Sequence, residues 1–387
     1  MSARGYQAGF HGATRGVQWS SSRITSRVMK TTLLATVALL AASPLAGATP
    51  KLVRVAAFEH QVTGVTVERG GRIFVNFPRW TEDTAVSVGE VKGGAVVPFP
   101  DPEWNAWRNA KKDQVSAKDH WVCVQSVVAD EQGHLWVLDP AAPAMGTTVK
   151  DGPKLVEIDL ATNRPARTIA FDESVAPQGS YLNDVRFSPD GKWAYLTDSG
   201  ARGALVVIDL STGNSRRVLD GDPTTQPDKT VTVTYAGKPL RRPDGRGVEF
   251  SADGIALSTD GKTLYWQAIK GKTLYRVATS ELQPGTSTRP RVETVGDNGP
   301  ADGLWIGRSD GRMYITSPQD DSIKVRALDK AATPTVLVKD ARLRWPDTLS
   351  EGANGTLFFT TSHIQDSALF KAGAPAALRT ELWSLEP

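Results

Sequence analysis

Short apolar segments alternate with polar positions, and the same unit recurs six times along the chain. Each unit has an apolar stretch, a turn that contains glycine and a second apolar stretch, a pattern typical of a β-hairpin. The units cover residues 62–76, 125–139, 183–197, 253–267, 302–316 and 347–361. Successive turn glycines are 62, 58, 70, 50 and 44 residues apart, which leaves room for a second hairpin after each unit. Four strands per repeat and six repeats predict an all-β fold, a six-bladed β-propeller.

Two further strand-like segments, 51–58 and 381–385, have no partner within their own repeat. We expect them to share the closing blade, because their pairing would remove the open edge of the array. A flat sandwich is the competing fold, but it would not need turns placed so regularly. The propeller is therefore the predicted architecture for residues 49–387.

The first 48 residues read as an N-terminal extension and a secretory signal peptide. Lys30 precedes the apolar run 31–40, and Ala46-Gly47-Ala48 supplies the small residues of a cleavage site. The run is too short for a stable membrane span. The sequence therefore predicts a secreted or periplasmic protein with no membrane association after cleavage. An N-terminal membrane anchor is the alternative.

The charge balance changes once this leader is set apart. The whole chain has 45 Lys and Arg against 42 Asp and Glu, and five of the basic residues lie before residue 49. The remaining chain is slightly acidic and contains no basic block interleaved with aromatic residues, so nucleic-acid binding is not expected. Cys123 is the single cysteine, so no internal disulfide can form, and its apolar strand predicts a buried side chain. We expect a monomer.

The start of each inner strand should line the mouth of the central channel. Equivalent positions in the six units carry one Thr, one Gln, one Asn and three Asp: Thr63, Gln125, Asn183, Asp253, Asp302 and Asp347. Converging acids raise one another's pKa and need a cation, a basic side chain or shared protons. We therefore predict a ligand site at Gln125, Asn183, Asp253, Asp302 and Asp347.

Oxygen ligands of this kind suit Ca²⁺, Mg²⁺ or Mn²⁺, and Asn183, Asp253 and Asp302 are the candidate metal ligands. The alternative is structural, because Asp and Asn before glycine also bond local backbone groups at turns and strand ends. His363 lies just past an inner strand and would be a candidate general base if it faced the channel. Zinc motifs, phosphate loops and serine-hydrolase elbows do not occur in the sequence.

Several segments resemble the yellow/major royal jelly proteins. They are VNFPRW (75–80), VVPFPDPEWN (96–105), WVCVQSVVADEQGHLWVLD (121–139), GIALSTDGKTLYWQAIKGKTLYRV (254–277) and WPDTLSEGANGTLFFTTSHI (345–364). The resemblance implies a secreted six-bladed propeller from a family of pigmentation proteins, dopachrome-conversion-like enzymes and binders of small amines or lipids. The cysteine pairs of the insect members are missing here, as expected for a bacterial-type relative.

A looser resemblance connects the chain to the gluconolactonase/senescence-marker propellers, which bind a divalent metal at the axial channel. Asn183, Asp253 and Asp302 occupy ligand-type positions, but Thr63 stands where the family's Glu should be, unless Glu59 or Asp347 supplies the carboxylate. The sequence thus supports a protein that binds a small molecule at the channel mouth. The alternatives are a metal-dependent lactonase with Asp347 or His363 as base, a dopachrome-tautomerase-like isomerase, and a protein-interaction platform.

Overall fold

Six four-stranded antiparallel sheets follow one another in the computed structural model, which describes residues 16–18, 50–286 and 289–386. Ala48–Pro387 forms one compact unit. The predicted secretory signal lies outside the described residues. No helix among the described residues is both long enough and apolar enough to cross a membrane.

The first strand, β1 (Lys51–Phe58), belongs to the last blade, and the next twelve strands build blades 1 to 3. Blade 1 consists of β2 (Val65–Val67), β3 (Ile73–Asn76), β4 (Val88–Lys92) and β5 (Ala95–Pro98). Blade 2 consists of β6 (Ser126–Ala129), β7 (His134–Asp139), β8 (Lys154–Asp159) and β9 (Arg164–Ala170). Blade 3 consists of β10 (Leu182–Phe187), β11 (Trp193–Asp198), β12 (Ala204–Asp209) and β13 (Ser215–Val218).

A small hairpin, β14 (Thr234–Tyr235) and β15 (Lys238–Pro239), separates the two halves of the array. Blade 4 consists of β16 (Ala252–Leu257), β17 (Thr263–Ala268), β18 (Thr273–Ala278) and β19 (Glu293–Asp297). Blade 5 consists of β20 (Leu304–Ile306), β21 (Met313–Ser317), β22 (Ser322–Arg326) and β23 (Thr335–Lys339). Blade 6 consists of β24 (Pro346–Glu351), β25 (Leu357–Thr361), β26 (Thr380–Glu386) and β1. Short 3-10 helices in the described loops occupy Asn109–Lys111, Pro143–Met145, Thr279–Glu281 and Ile364–Asp366.

The blades are arranged in a closed ring. The inner strand of each blade contacts the inner strand of the next, and β24 of blade 6 contacts β2 of blade 1. Apolar clusters fill the spaces between neighbouring blades; between blades 2 and 3, for example, Leu138 and Leu155 pack with Leu196 and Val206. This confirms the predicted propeller, and the six predicted inner hairpins are the first two strands of the six blades.

The closing blade also has the predicted composition. β1 runs antiparallel to β26 in a register that pairs Lys51 with Glu386 and Phe58 with Thr380. Both ends of the ring therefore lie in one sheet, and the fold has no open blade. Cys123 is fully buried, as its sequence context predicted.

Candidate functional site

The start of each inner strand does converge on one end of the channel, where a cavity of about 290 Å³ opens. All five predicted ligand-site residues line it: Gln125, Asn183, Asp253, Asp302 and Asp347. Each is almost fully buried, with 5 or 6% of its surface exposed. We call these five residues the polar floor. The sixth ring position, Thr63, is not among the lining residues and accepts a hydrogen bond from Asn76 at 2.9 Å.

Glycines beside the floor allow the inner strands to approach closely. A Cβ on Gly254 would lie 2.0 Å from the carbonyl oxygen of Asp302, and one on Gly303 would lie 2.2 Å from that of Asp347. Since both clashes are with backbone, no side-chain movement can relieve them. The Asp-Gly pairs therefore serve the packing of adjacent inner strands, and this packing brings Asp253, Asp302 and Asp347 together.

Directional hydrogen bonds connect the floor from one wall of the cavity to the other. The indole of Trp80 donates to the Tyr181 hydroxyl at 2.5 Å, and this hydroxyl donates to Oε1 of Gln125 at 3.0 Å. Nε2 of Gln125 donates to Oδ1 of Asn183 at 3.1 Å, and Nδ2 of Asn183 donates to Oδ2 of Asp253 at 2.7 Å. Because an indole can only donate, the direction of every later bond in the series is fixed.

The two central carboxyl groups, Asp253 and Asp302, lie close enough for the charge of Asp302 to raise the pKa of Asp253. The indole of Trp345 donates to Oδ2 of Asp302 at 2.6 Å. Burial, then the charges of Asp302, Asp184 and Asp347, raises the pKa of Asp253 well above its ordinary value. Burial raises the pKa of Asp302 to about 7, against the opposing hydrogen bond from Trp345. Asp302 is thus the more acidic member of the pair.

Asp347, the third carboxyl group of the floor, is also buried in the lining of the cavity. Burial and the charge of Asp302 raise its pKa well above the ordinary value. Below the floor, the carboxylate of Asp184 lies 3.6 Å from the Arg186 guanidinium. In the described part of the chain, Asp253, Asp302 and Asp347 form no ion pair with a basic side chain. At neutral pH the floor therefore carries its negative charge mainly on Asp302, the most acidic of the three, and an occupant of the cavity could offset this charge.

The predicted metal ligands do not form a fitting set. The oxygen of Asn183 accepts from Gln125, so its amide nitrogen faces Asp253, and Oδ2 of Asp302 is held by the Trp345 indole. Among the described residues, no three His, Cys, Asp or Glu side chains are grouped so that they could hold a metal ion. Two of the oxygens that a divalent cation would use, Oδ1 of Asn183 and Oδ2 of Asp302, already accept hydrogen bonds from protein groups.

His363 is not brought to the floor. Its Nε2 lies 3.0 Å from a carboxylate oxygen of Glu381, and it is not one of the residues that line the cavity. The two predicted candidates for a base are therefore separated, with Asp347 in the floor and His363 outside it.

The walls and the roof of the cavity come from residues that the sequence analysis did not select. Trp80, Tyr181, Phe250, Ile269 and Ile364 give the walls an aromatic and aliphatic character. Arg242, Arg246 and Glu249 lie on the connection between β13 and β16 and line the cavity at its rim. The unusual separation of 70 residues between Gly191 and Gly261 is the sequence signal that marks this connection.

The family model for the major royal jelly proteins matches residues 122–364, which include β6 to β25 of the ring. The chain belongs to the major royal jelly protein family. The matched range contains the whole polar floor, so the site lies in the part of the chain that defines this membership.

Individual relatives of this major royal jelly family member are distant. Protein yellow of Drosophila subobscura is 27% identical over 147 residues, which cover 35% of this chain and 25% of that protein. The match therefore spans about a quarter of the length of the curated relatives.

Solved structures of similar fold share less sequence. A gluconolactonase from Xanthomonas campestris superposes with a TM-score of 0.53 at 12% identity, covering 87% of this chain and 89% of that one. Regucalcin, a calcium-binding protein from Agrobacterium tumefaciens, gives a TM-score of 0.49 at 15% identity over 86% and 95% of the two chains. At these identities the likeness concerns the propeller fold alone.

Proposed function

We propose that this protein is a secreted binder of a small organic cation, a primary amine with an apolar or aromatic body, held in the cavity at the channel mouth. The observation that carries the proposal is the polar floor. Asp253, Asp302 and Asp347 are buried together and form no ion pair among the described residues, so a bound ammonium group would supply a direct partner for the ionised carboxylate.

The walls suit the rest of such a molecule. Trp80, Tyr181 and Phe250 present aromatic surface to the cavity, which favours an apolar ligand body and attracts a cation to the ring faces. A cavity of about 290 Å³ has room for one aromatic ring and a short amine chain. Membership of the family that includes the yellow proteins agrees with a secreted small-molecule binder.

A matched set of probes tests the proposal. Isothermal titration with 2-phenylethylamine should give saturable binding, and 2-phenylethanol, which has the same shape without the charge, should bind at least tenfold more weakly. Asp253→Asn should weaken the amine at least tenfold, since it removes a carboxyl group and nearly preserves shape. Equal binding of the amine and the alcohol would overturn the proposal. Recovery of the protein from the medium or periplasm, without residues 1–48, tests secretion.

A second candidate is an isomerase that moves a proton on the bound molecule. The observation favouring it is that Asp253 and Asp302 are buried together in the lining of one cavity, because two carboxyl groups with separated pKa values can act as acid and base. Turnover of a bound enolisable amine, measured at saturating ligand and lost in Asp302→Asn, would support this activity. If such compounds bind but none is converted, the isomerase is rejected and the binding function stands. For the lactonase alternative, the described floor has no fitting set of metal ligands.

A further inference from the structure

The connection between blades 3 and 4 lines the cavity at the channel mouth through four residues, Arg242, Arg246, Glu249 and Phe250. We call this segment, residues 219–251, the strap. Its tip is held against blade 5: the backbone N–H of Thr234 donates to Gln319 at 2.8 Å, and the Tyr235 hydroxyl donates to Asp321 at 2.9 Å. Arg344, which precedes blade 6, donates to the same hydroxyl at 2.7 Å. The strap is therefore anchored to blades beyond the two that it connects.

Apolar contacts hold the returning half of the strap in place. Val248 and Phe250 pack in one cluster with Trp345, Ile364 and Phe370. The wall residue Phe250 and the floor-binding indole of Trp345 thus belong to the same packed group. As a result, the rim residues that follow the tip have a defined position over the floor.

Arg242 of the strap lines the cavity, and among the described residues no carboxylate lies within ion-pair distance of it, although the charges of Glu249 and Asp244 act on it from farther away. Its guanidinium lies over the rings of Phe250, at 5.6 Å from the centroid, and Phe370, at 6.0 Å. Stacking covers the faces of the planar group and leaves its N–H donors at the edge. Within the described residues these donors have no hydrogen-bond acceptor, and the Nε atom is completely buried.

The acidic residues of the strap do not form an ion pair with Arg242. Arg246 pairs with Asp244 at 2.7 Å and lies 3.9 Å from Glu249, so the two exposed acids of the strap face Arg246. Arg344, another half-buried arginine, does have a counterion and lies 2.7 Å from Asp366. Arg242 is therefore a partly desolvated cation that lines a cavity and has free donors.

We infer that the ligand also carries a carboxylate, which the Arg242 guanidinium binds at the rim while its ammonium group meets the polar floor. The inference rests on the proposed function and narrows it to zwitterions of the amino-acid class with an apolar side chain. A guanidinium edge and a carboxylate form paired, charge-assisted hydrogen bonds. Negative floor and positive rim together fix the direction in which such a molecule enters.

The test compares L-phenylalanine with 2-phenylethylamine, which differ by the carboxylate alone. The wild-type protein should bind phenylalanine at least tenfold more tightly. Arg242→Gln should remove this preference and leave phenylethylamine affinity within about threefold. Arg241→Gln is the matched control, since Arg241 is the adjacent exposed arginine and does not line the cavity. Arg242→Lys, which keeps the charge, should retain part of the preference.

The possible failures are distinguishable. If the wild-type protein binds phenylethylamine and phenylalanine equally well, or if Arg242→Gln keeps the preference, the inference is overturned and the amine site stands. If neither compound binds the wild-type protein, the proposed function fails and the inference fails with it. Phenylethylamine binding by Arg242→Gln also shows that this variant has folded.

Discussion

The indole Nε1 of Trp345 donates a hydrogen bond to Oδ2 of Asp302 over 2.6 Å, and both residues are buried. The indole nitrogen cannot accept, so the bond favours the ionised carboxylate. Trp345 comes from the loop before blade 6 and Asp302 from the start of blade 5. The charge state of the floor is thus set by a contact between neighbouring blades.

Removal of this donor should change the pH at which an amine binds. In Trp345→Phe the pKa of Asp302 should rise further, because the hydrogen bond that lowers it is lost. A cationic ligand needs the ionised carboxylate, so the wild-type protein should bind 2-phenylethylamine more tightly as the pH rises through about 7. In Trp345→Phe the midpoint of this increase in affinity should lie about one pH unit higher. Titrations from pH 5 to 9 measure this shift.

Trp383→Phe is the control for that experiment. Trp383 is also buried, at 4% exposure, but its Nε1 has no hydrogen-bond partner in the described structure and it packs between blades 5 and 6. Its loss removes a similar volume without touching the floor. A midpoint that moves equally in both variants would assign the effect to packing instead.

Stability of the ligand-free protein should also depend on the floor. The pKa of Asp302 is about 7 in the folded protein and about 3.9 in an unfolded chain, so the folded state binds more protons between these values. The free energy of unfolding should therefore decrease as the pH rises from 4 to 7, by at most about 1.4 kcal/mol per unit for this group. Urea unfolding at several pH values should show a shallower decrease in Asp302→Asn, which cannot titrate. If the free energy of unfolding decreases equally steeply with pH in the wild-type protein and in Asp302→Asn, the raised pKa of Asp302 is contradicted.

Close approach of the inner strands predicts a strong effect at Gly254. Gly254→Ala would place a Cβ 2.0 Å from the carbonyl oxygen of Asp302, and we expect it to lower the free energy of unfolding by roughly 3 kcal/mol. Gly247→Ala is the control, because its Cβ would lie 3.8 Å from its nearest neighbour and its backbone is not strained. Chemical denaturation compares the two. If Gly254→Ala lowers the free energy of unfolding as little as Gly247→Ala does, the inner strands can separate without cost.

Divalent cations should leave the melting temperature unchanged. The oxygen of Asn183 is turned towards Gln125, and no fitting ligand set exists among the described residues. A cation at ~100 times its dissociation constant would add ~2.7 kcal/mol of stability. Thermal melts with chelator and with Ca²⁺, Mg²⁺ or Mn²⁺ provide the measurement. An increase that Asp253→Asn abolishes would instead place an ion on the floor.

The blades and the floor were predictable because both follow from a repeat. Once the turn glycines fix six equivalent hairpins, symmetry brings Asn183, Asp253 and Asp302 to one end of the channel without any knowledge of their contacts. Orientation of the side chains does not follow from a repeat. The direction of the Asn183 amide depends on Gln125 and Tyr181, which no spacing relates to one another, and this is why Asn183 looked like a metal ligand.

The rim could not be predicted for a different reason. Arg242 lies in the strap, the one connection that departs most from the repeat, and its position depends on contacts such as that between Tyr235 and Asp321. The position of His363 could not be predicted either, because its nearness to an inner strand in sequence says nothing about which way the loop turns. Its ring points to Glu381 on β26 instead.

The pairing of β1 with β26 has a consequence for the order in which the molecule is made. Lys51–Phe58 precedes every strand of blade 1 in the sequence, yet its partner Thr380–Glu386 follows every other described strand of the ring. During synthesis β1 is an unpaired edge until Thr380–Glu386 has been made, and the contacts between the first and last blades cannot form earlier. The ring therefore closes only after all six blades have been synthesised.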